Sequence, residues 1–347
     1  MRILVLGGSG FAGRAVAAEA VARGFDVTVL NRGRRDPVPG VRQLTGDRLA
    51  AGGLQALDGH RWDAVVDTWS ADARAVRAAA AALAGRAGHY TYISSRSVYH
   101  YDETPSPAGA PSVAGSSPAG AVWPGASWAD APALAEDAPL VAADDPGYAG
   151  DKLRGEQAAE HFGGPLLLAR AGLILGPHED VGRLPWWLRR LQRGGPTLAP
   201  GPRDLPLQYI DVRDLAAFVL DAAAAGRTGP YTVVSESGHT TMGELLDTAN
   251  EVTGGHADLR WTAPEAILAA GVEPWTQLPI WLPPGPLYAF MHRGDVTRAM
   301  AAGLRCRPIR DTVTDTWSWL SALPGPAPQR TDRPPVGLSP EAEATLL

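Results

Sequence analysis

The chain has 347 residues, 45% of them hydrophobic and 20% charged, with a net charge of −6. That length gives one large domain or two modest ones, and the balance is that of a folded globular chain rather than a disordered or fibrous one. The acidic balance weighs against a nucleic-acid partner, the single Cys306 excludes an internal disulfide and a cysteine zinc site, and no apolar run approaches the roughly 20 residues of a membrane span.

Taken in chain order, the first hundred residues alternate apolar runs with Ala-rich stretches. Strands are expected at Arg2–Leu6, Asp26–Leu30, Val41–Leu44, Trp62–Asp67 and His89–Ser94, with helices at Phe11–Arg23 and Ala71–Ala84. Strand–helix alternation with near-continuous apolar strands indicates a parallel sheet covered on both faces. Residues 102–147 break the rhythm. They are mostly Pro, Gly, Ala and Ser, with seven acids and no Lys, Arg or His, so a long irregular acidic loop is expected. Asp145-Pro146 is a helix start, with Asp as N-cap and Pro at the first helical position, and the helix should run to about His161. Leu166–Ala169 is a strand. Beyond Gly176-Pro177 the spacing predicts helices at Leu184–Arg193, Val212–Ala224, Thr241–Thr253 and Asp311–Ser321, and strands at Leu207–Ile210 and Tyr231–Val234. Residues 323–337 read as a polar, Pro-rich surface strap.

Gly7-Gly8-Ser9-Gly10-Phe11-Ala12-Gly13 follows a strand and opens a helix. In that context glycines supply a tight turn, backbone N–H groups close to a pyrophosphate and a close helix–strand contact. The second strand ends in Asn31-Arg32-Gly33-Arg34-Arg35, with no carboxylate for a ribose 2′-hydroxyl. Three arginines suit a 2′-phosphate, so NADP(H) is favoured over NAD(H), with Asn31, Arg32 and Arg34 as contacts; a solvated basic turn is the alternative. Asp47 is a candidate for the adenine amine, and Asp67 and Thr68 are expected beside the dinucleotide.

Among 30 arginines there is one lysine, Lys152, four residues after Tyr148 on the expected helix. An ammonium on the same helix face lowers the phenol pKa from its reference of about 10 toward working range. Ser94, Ser95 and Ser97 end the fifth strand, and Ser95 is the first choice to hydrogen-bond a substrate oxygen.

Gly7/Gly10/Gly13, Ser95 before Val98-Tyr99, Tyr148-x-x-x-Lys152 and Arg170 followed by Gly176-Pro177 together make the chain resemble an extended or atypical short-chain dehydrogenase/reductase, the group often labelled NAD-dependent epimerase/dehydratase. The resemblance implies an α/β fold, a Rossmann doubly wound parallel sheet with a smaller C-terminal α/β substrate domain. It implies Tyr148 as acid/base, Lys152 on the nicotinamide ribose and on Tyr148, and Ser95 on the substrate oxygen. Residues 1–176, with 205–235 returning to them, would form the NADP(H)-binding domain. Residues 177–204 and 236–322 would bind substrate, 102–147 would be an acidic loop or lid carrying Trp123 and Trp128, and 323–347 a C-terminal strap. Ser94, Ala171 and Leu173 are placed along the cofactor.

Departures from the family pattern narrow the chemistry. The dehydratases resemble one another in an Asp-Glu pair just after the active Ser/Thr, where this chain has Arg96 and Ser97. Leu173 and Leu175 stand before Gly-Pro where sugar-nucleotide epimerases usually show Asn and Tyr. That apolar version looks more like members that reduce carbonyls of non-sugar metabolites. Arg96, Ser97, His178 and Gln208 are further substrate candidates. His178-Glu179-Asp180 are consecutive and seldom converge on one ion, so no metal is expected.

The expectation is therefore a cytoplasmic NADP(H)-dependent reductase of a small non-sugar carbonyl metabolite, without nucleic-acid or membrane partners; a homodimer is compatible with this reading. An epimerase that oxidises its substrate transiently is the alternative, with nucleotide sugars among its candidate substrates. A non-catalytic cofactor sensor or RNA-associated relative is a third.

Overall fold

Ile3, Leu4, Val5 and Leu6 have no solvent exposure, which is the burial that a continuous apolar strand encodes. In the structure, a computed structural model describing residues 1–101, 133–331 and 333–347, this run is β1 (Arg2–Leu6), an interior strand of a seven-stranded sheet. Numbered along the chain, the other members are β2 (Asp26–Asn31), β3 (Arg42–Thr45), β4 (Ala64–Asp67), β5 (Tyr90–Ser95), β6 (Leu166–Ala171) and β11 (Gly229–Val233). Their order is β11-β6-β5-β4-β1-β2-β3 and every pairing is parallel. This is a Rossmann-like α/β architecture. Leu6 pairs with both Leu30 and Asp67. The strand order reverses at β1, and carboxyl ends at such a point form a ligand crevice.

Period-two alternation divides the sheet's two cores. Ile3 and Val5 face one side with Val29 and Val66, beneath α1 (Phe11–Ala22) and α5 (Val212–Ala224). Leu4 and Leu6 face the other with Val65, Tyr90 and Tyr92, beneath α2 (Ala73–Leu83) and α3 (Tyr148–Ala159). Gly155 lets α3 approach β5, since a Cβ there would fall 2.1 Å from the Tyr92 hydroxyl.

A third core lies around Trp187 and Trp281, under α4 (Arg183–Arg193), α6 (Met242–Val252) and α10 (Ile309–Ser321). Both indoles are buried with their N–H groups satisfied, Trp187 by Pro279 O at 2.8 Å and Trp281 by Gly201 O at 2.9 Å. Beside this core β8 (Gly195–Pro200) pairs in parallel with β13 (Ala257–Thr262). Short strands β7 (Ile174–Leu175), β9 (Pro206–Leu207), β10 (Ile210–Asp211) and β12 (Thr240–Thr241) pair β7 with β10 and β9 with β12. Helices α7 (Pro264–Ala269), α8 (Pro286–His292), α9 (Thr297–Ala301) and α11 (Pro340–Ala344) complete the described α-helices. None of the described helices is long and apolar enough to cross a membrane.

Two expectations are corrected. The third helix begins at Tyr148, not Pro146, because Gly147 adopts φ 90° and turns the chain just before it. The strand expected over Leu207–Ile210 is two, β9 and β10, which pair with different partners around Gln208 and Tyr209. Thr241 is the N-cap of α6, in a reciprocal capping box with Glu244. Trp123, Trp128 and most of the expected lid lie outside the described residues. The part of 102–147 that is described folds back on the sheet, where Glu136 accepts from Thr232 N at 2.7 Å and Leu134 bridges Gly294.

Candidate active site

The loop between β1 and α1 is built for close approach. Gly7 has φ 98°, and a Cβ there would lie 2.5 Å from the Thr68 hydroxyl, which donates to Leu6 O. A Cβ on Gly13 would strike Gly7 O at 2.5 Å. A Cβ on Gly10 would meet only Gly7 O at 3.9 Å. Gly10 is the N-cap of α1 and no side chain caps that helix, so its first N–H groups, around Phe11, Ala12 and Gly13, are available to an anion. Ser9 gives its carbonyl to Arg35.

At the end of β2, Asn31 accepts from Gly33 N at 2.7 Å and from Gln43, while its buried Nδ2 has no partner. A buried orphan donor at this strand end fits the ribose of a dinucleotide. Arg32 and Arg34 are exposed, and Arg35 pairs with Asp180 at 3.1 Å. Asp47, half-buried, accepts from Leu49 N and keeps its other oxygen. The residues present thus fit a nicotinamide dinucleotide laid across the glycine loop.

Several candidates are spent inside the protein. Asp67 is fully buried and held by Arg48, Tyr90 and Trp69 N, because burial at the base of the crevice demands a counter-charge for its carboxylate. Ser94 donates to Glu156 at 2.5 Å, and Glu156 is paired with Arg170. Ala171 and Leu173 put their side chains in the cores, which leaves only backbone for a cofactor. Arg96 is 1% exposed and donates to Gln208 and to the carbonyls of Phe290 and Met291. Gln208 is wholly buried and donates in turn to Ser235 O and Gly294 O. Both therefore join the sheet to α8 instead of facing a substrate. His178, at φ 69°, packs on Trp319 at 5.1 Å.

The chemistry gathers at the start of α3. Lys152 is buried at 3% exposure and donates to Trp69 O at 2.9 Å and Ile93 O at 2.6 Å. Its ammonium stands 4.8 Å from the centre of the Tyr92 ring. Burial pulls its pKa below the usual value, although the Tyr148, Asp67 and Glu156 charges oppose that. Tyr148 keeps 40% of its surface open, at the mouth of the crevice. Desolvation in the crevice opposes its ionisation, but Lys152, a hydrogen bond with Ser95, and the Arg333 and Arg183 charges outweigh it. The phenol therefore ionises below its ordinary range. Ser95 also hydrogen-bonds Ser97 Oγ at 3.1 Å and accepts from Ser97 N. Tyr148, Lys152 and Ser95 are thus together, with Ser97 beside them, at the carboxyl end of β5. A phenol so placed can pass a proton to or from an oxygen held by Ser95.

Sequence reasoning misses Arg183 and Arg333. The Arg333 guanidinium lies 4.9 Å from the centre of the Tyr148 ring, yet it belongs to the strap, 185 positions along the chain. Arg183 opens α4, and its guanidinium lies 5.1 Å from the Trp275 ring. Neither arginine carries a periodic or motif signature.

Residues 3–234 match the sequence model of the NAD dependent epimerase/dehydratase family. A comparison with curated proteins finds no match to the chain. Among solved structures, it is similar to Bordetella bronchiseptica WbmH in complex with NAD+, with TM-score 0.64 and 17% identity over 92% of this chain and 98% of that one. WbmG from the same organism, in complex with NAD and UDP, gives 0.64 and 19% over 92% and 93%. Thermus thermophilus UDP-glucose 4-epimerase, in complex with NAD, gives 0.62 and 20% over 93% and 100%. At these identities the likeness establishes the fold.

Proposed function

Because the chain belongs to the NAD dependent epimerase/dehydratase family, we propose that it is an oxidoreductase interconverting a carbonyl and an alcohol on a small molecule, and that its net reaction is NADP(H)-dependent reduction of a non-sugar carbonyl. The observation that carries this reading is the gathering of Tyr148 and Lys152, at the start of α3, with Ser95, at the carboxyl end of β5, an arrangement whose charges favour the phenolate. A bound reduced nicotinamide supplies the hydride. Ser95 donates a hydrogen bond to the carbonyl oxygen as it gains negative charge, and Tyr148 gives that oxygen its proton, leaving alcohol and phenolate. Lys152, held by two carbonyls, keeps its charge beside the phenolate. The exposed Arg32 and Arg34, with the orphan Asn31 Nδ2, support NADP(H) over NAD(H).

A second reading, epimerisation through transient oxidation, is favoured by the neighbours that are UDP-glucose 4-epimerases. NADPH consumption separates the two: a reductase oxidises it stoichiometrically with product, and an epimerase returns it unchanged. Tyr148→Phe tests the shared core. Turnover should fall at least 100-fold with dinucleotide binding intact, and unaltered turnover would remove Tyr148 from the mechanism.

A further inference from the structure

Three cations surround one phenol. Lys152 and Ser95 favour the ionised form of Tyr148, and in addition Arg333 lies over its ring and Arg183 adds its charge from α4. The two guanidinium groups also act on each other, and burial together with Arg333 makes Arg183 harder to keep protonated. Three enclosed arginines in this fold meet a carboxylate, Arg48 with Asp67, Arg170 with Glu156 and Arg190 with Glu343, and Arg96 is held by Gln208 and the carbonyls of Phe290 and Met291. Among the described residues, Arg183 and Arg333 are in no ion pair. The carboxylates nearest in sequence to Arg183 are Asp180, which pairs with Arg35 at 3.1 Å, and Glu179. The two oxygens of Glu179 accept from the main-chain N–H groups of Arg183 and Leu184, so it does not grip the guanidinium.

The strap holds Arg333 in place. On one side of it, Arg330 N donates to Asp180 O at 2.9 Å. On the other, Gly337 N donates to Thr276 O at 2.7 Å, and a Cβ on Gly337 would fall 1.9 Å from the Trp186 indole nitrogen. Leu338 is buried, and α11 is locked by the Glu343–Arg190 pair at 2.5 Å. A segment so anchored has little main-chain freedom left to lose on binding. Like charges held together at the rim of a crevice are relieved by an anion between them, and the planar guanidinium fork matches carboxylate and phosphate oxygens.

We propose that Arg183 and Arg333 form an anion subsite above Tyr148, and that the substrate carries a carboxylate or phosphate close to the carbon that exchanges hydride. This rests on the reading of Tyr148 as the acid/base, and it adds the charge of the substrate to that reading.

Calorimetric titration tests it on the full chain saturated with NADPH, so that the glycine loop is already filled. Malonate probes the carboxylate source and inorganic pyrophosphate the phosphate source. One of the two should bind the wild type, at least tenfold more weakly to Arg333→Gln and to Arg183→Gln, with Arg333→Lys retaining part of the affinity. NADPH binding should be unchanged in all of them, which also reports that they fold. Tyr148→Phe should bind the same anion as the wild type. Such a result with no hydride transfer to any carbonyl acid would keep the subsite and defeat the proposed function. Anion affinity equal in the wild type and the Arg183→Gln/Arg333→Gln protein, or no binding of either probe, would overturn the subsite. In the latter case a shift of the Tyr148 pH profile alone would assign both arginines to the phenol.

Discussion

Arg48 grips Asp67 through two hydrogen bonds of 2.7 and 2.6 Å, in a pair from which water is almost wholly excluded. Asp67 also accepts from the Tyr90 hydroxyl at 2.6 Å and from Trp69 N at 3.0 Å. The same turn offers the Trp69 carbonyl to Lys152. Asp67→Asn leaves a buried guanidinium without its counter-charge, and the expected loss of stability is on the order of 3–5 kcal/mol. Urea denaturation measures it. A loss below about 1 kcal/mol would show that Arg48 finds other compensation.

The strand–helix order of the first hundred residues is legible because strands buried on both faces are written as unbroken apolar runs. Tyr148 and Lys152 are legible from their four-residue spacing and from the absence of any other lysine. The fates of Asp67 and Ser94 are not. Neighbours on a strand point to opposite faces, so a row of serines does not reveal that Ser94 turns inward to Glu156 while Ser95 faces Tyr148. Gly195–Pro200, where no strand is expected from the sequence, is a strand paired with Ala257–Thr262. Arg333 is invisible for the same reason: its meaning comes from the docking of α11, far along the chain.

Replacing Lys152 tests how much of the phenol's acidity it supplies. Lys152→Met should lower kcat by about 100-fold or more. In alcohol oxidation Tyr148 acts as a base, so the rate rises as pH passes its pKa, and loss of the ammonium should move that rise to higher pH. Lys152→Arg should not restore the wild-type rate, since the slot between the Trp69 and Ile93 carbonyls is filled by a compact ammonium. A pH–rate profile unmoved in Lys152→Met would assign the shift to other charges.

Arg32 and Arg34 supply the argument for a 2′-phosphate. The Arg32→Ser/Arg34→Ser protein should bind NADPH about 10- to 100-fold more weakly, the size of charge-assisted hydrogen bonds, with NADH affinity nearly unchanged. Fluorescence titration of the two cofactors reads both numbers. Tighter binding of NADH than NADPH by the wild type would reverse the assignment.

Glu179 makes stability depend on pH in a defined direction. It is fully buried, and burial pushes its pKa up to about 7, against the Arg183 charge and the two N–H donors that favour the carboxylate. In the unfolded chain the group titrates near 4.5. Between those values the native state binds more protons, so stability is greatest below about pH 4.5 for this group, falls as pH rises to about 7, and is level above. The full fall is on the order of 3 kcal/mol. Glu179→Gln stays neutral throughout and should lose this slope. Urea midpoints at pH 5 and pH 8 compare the two proteins: the wild type should lose stability between them and the variant should lose measurably less, whereas equal losses would place the pH dependence elsewhere.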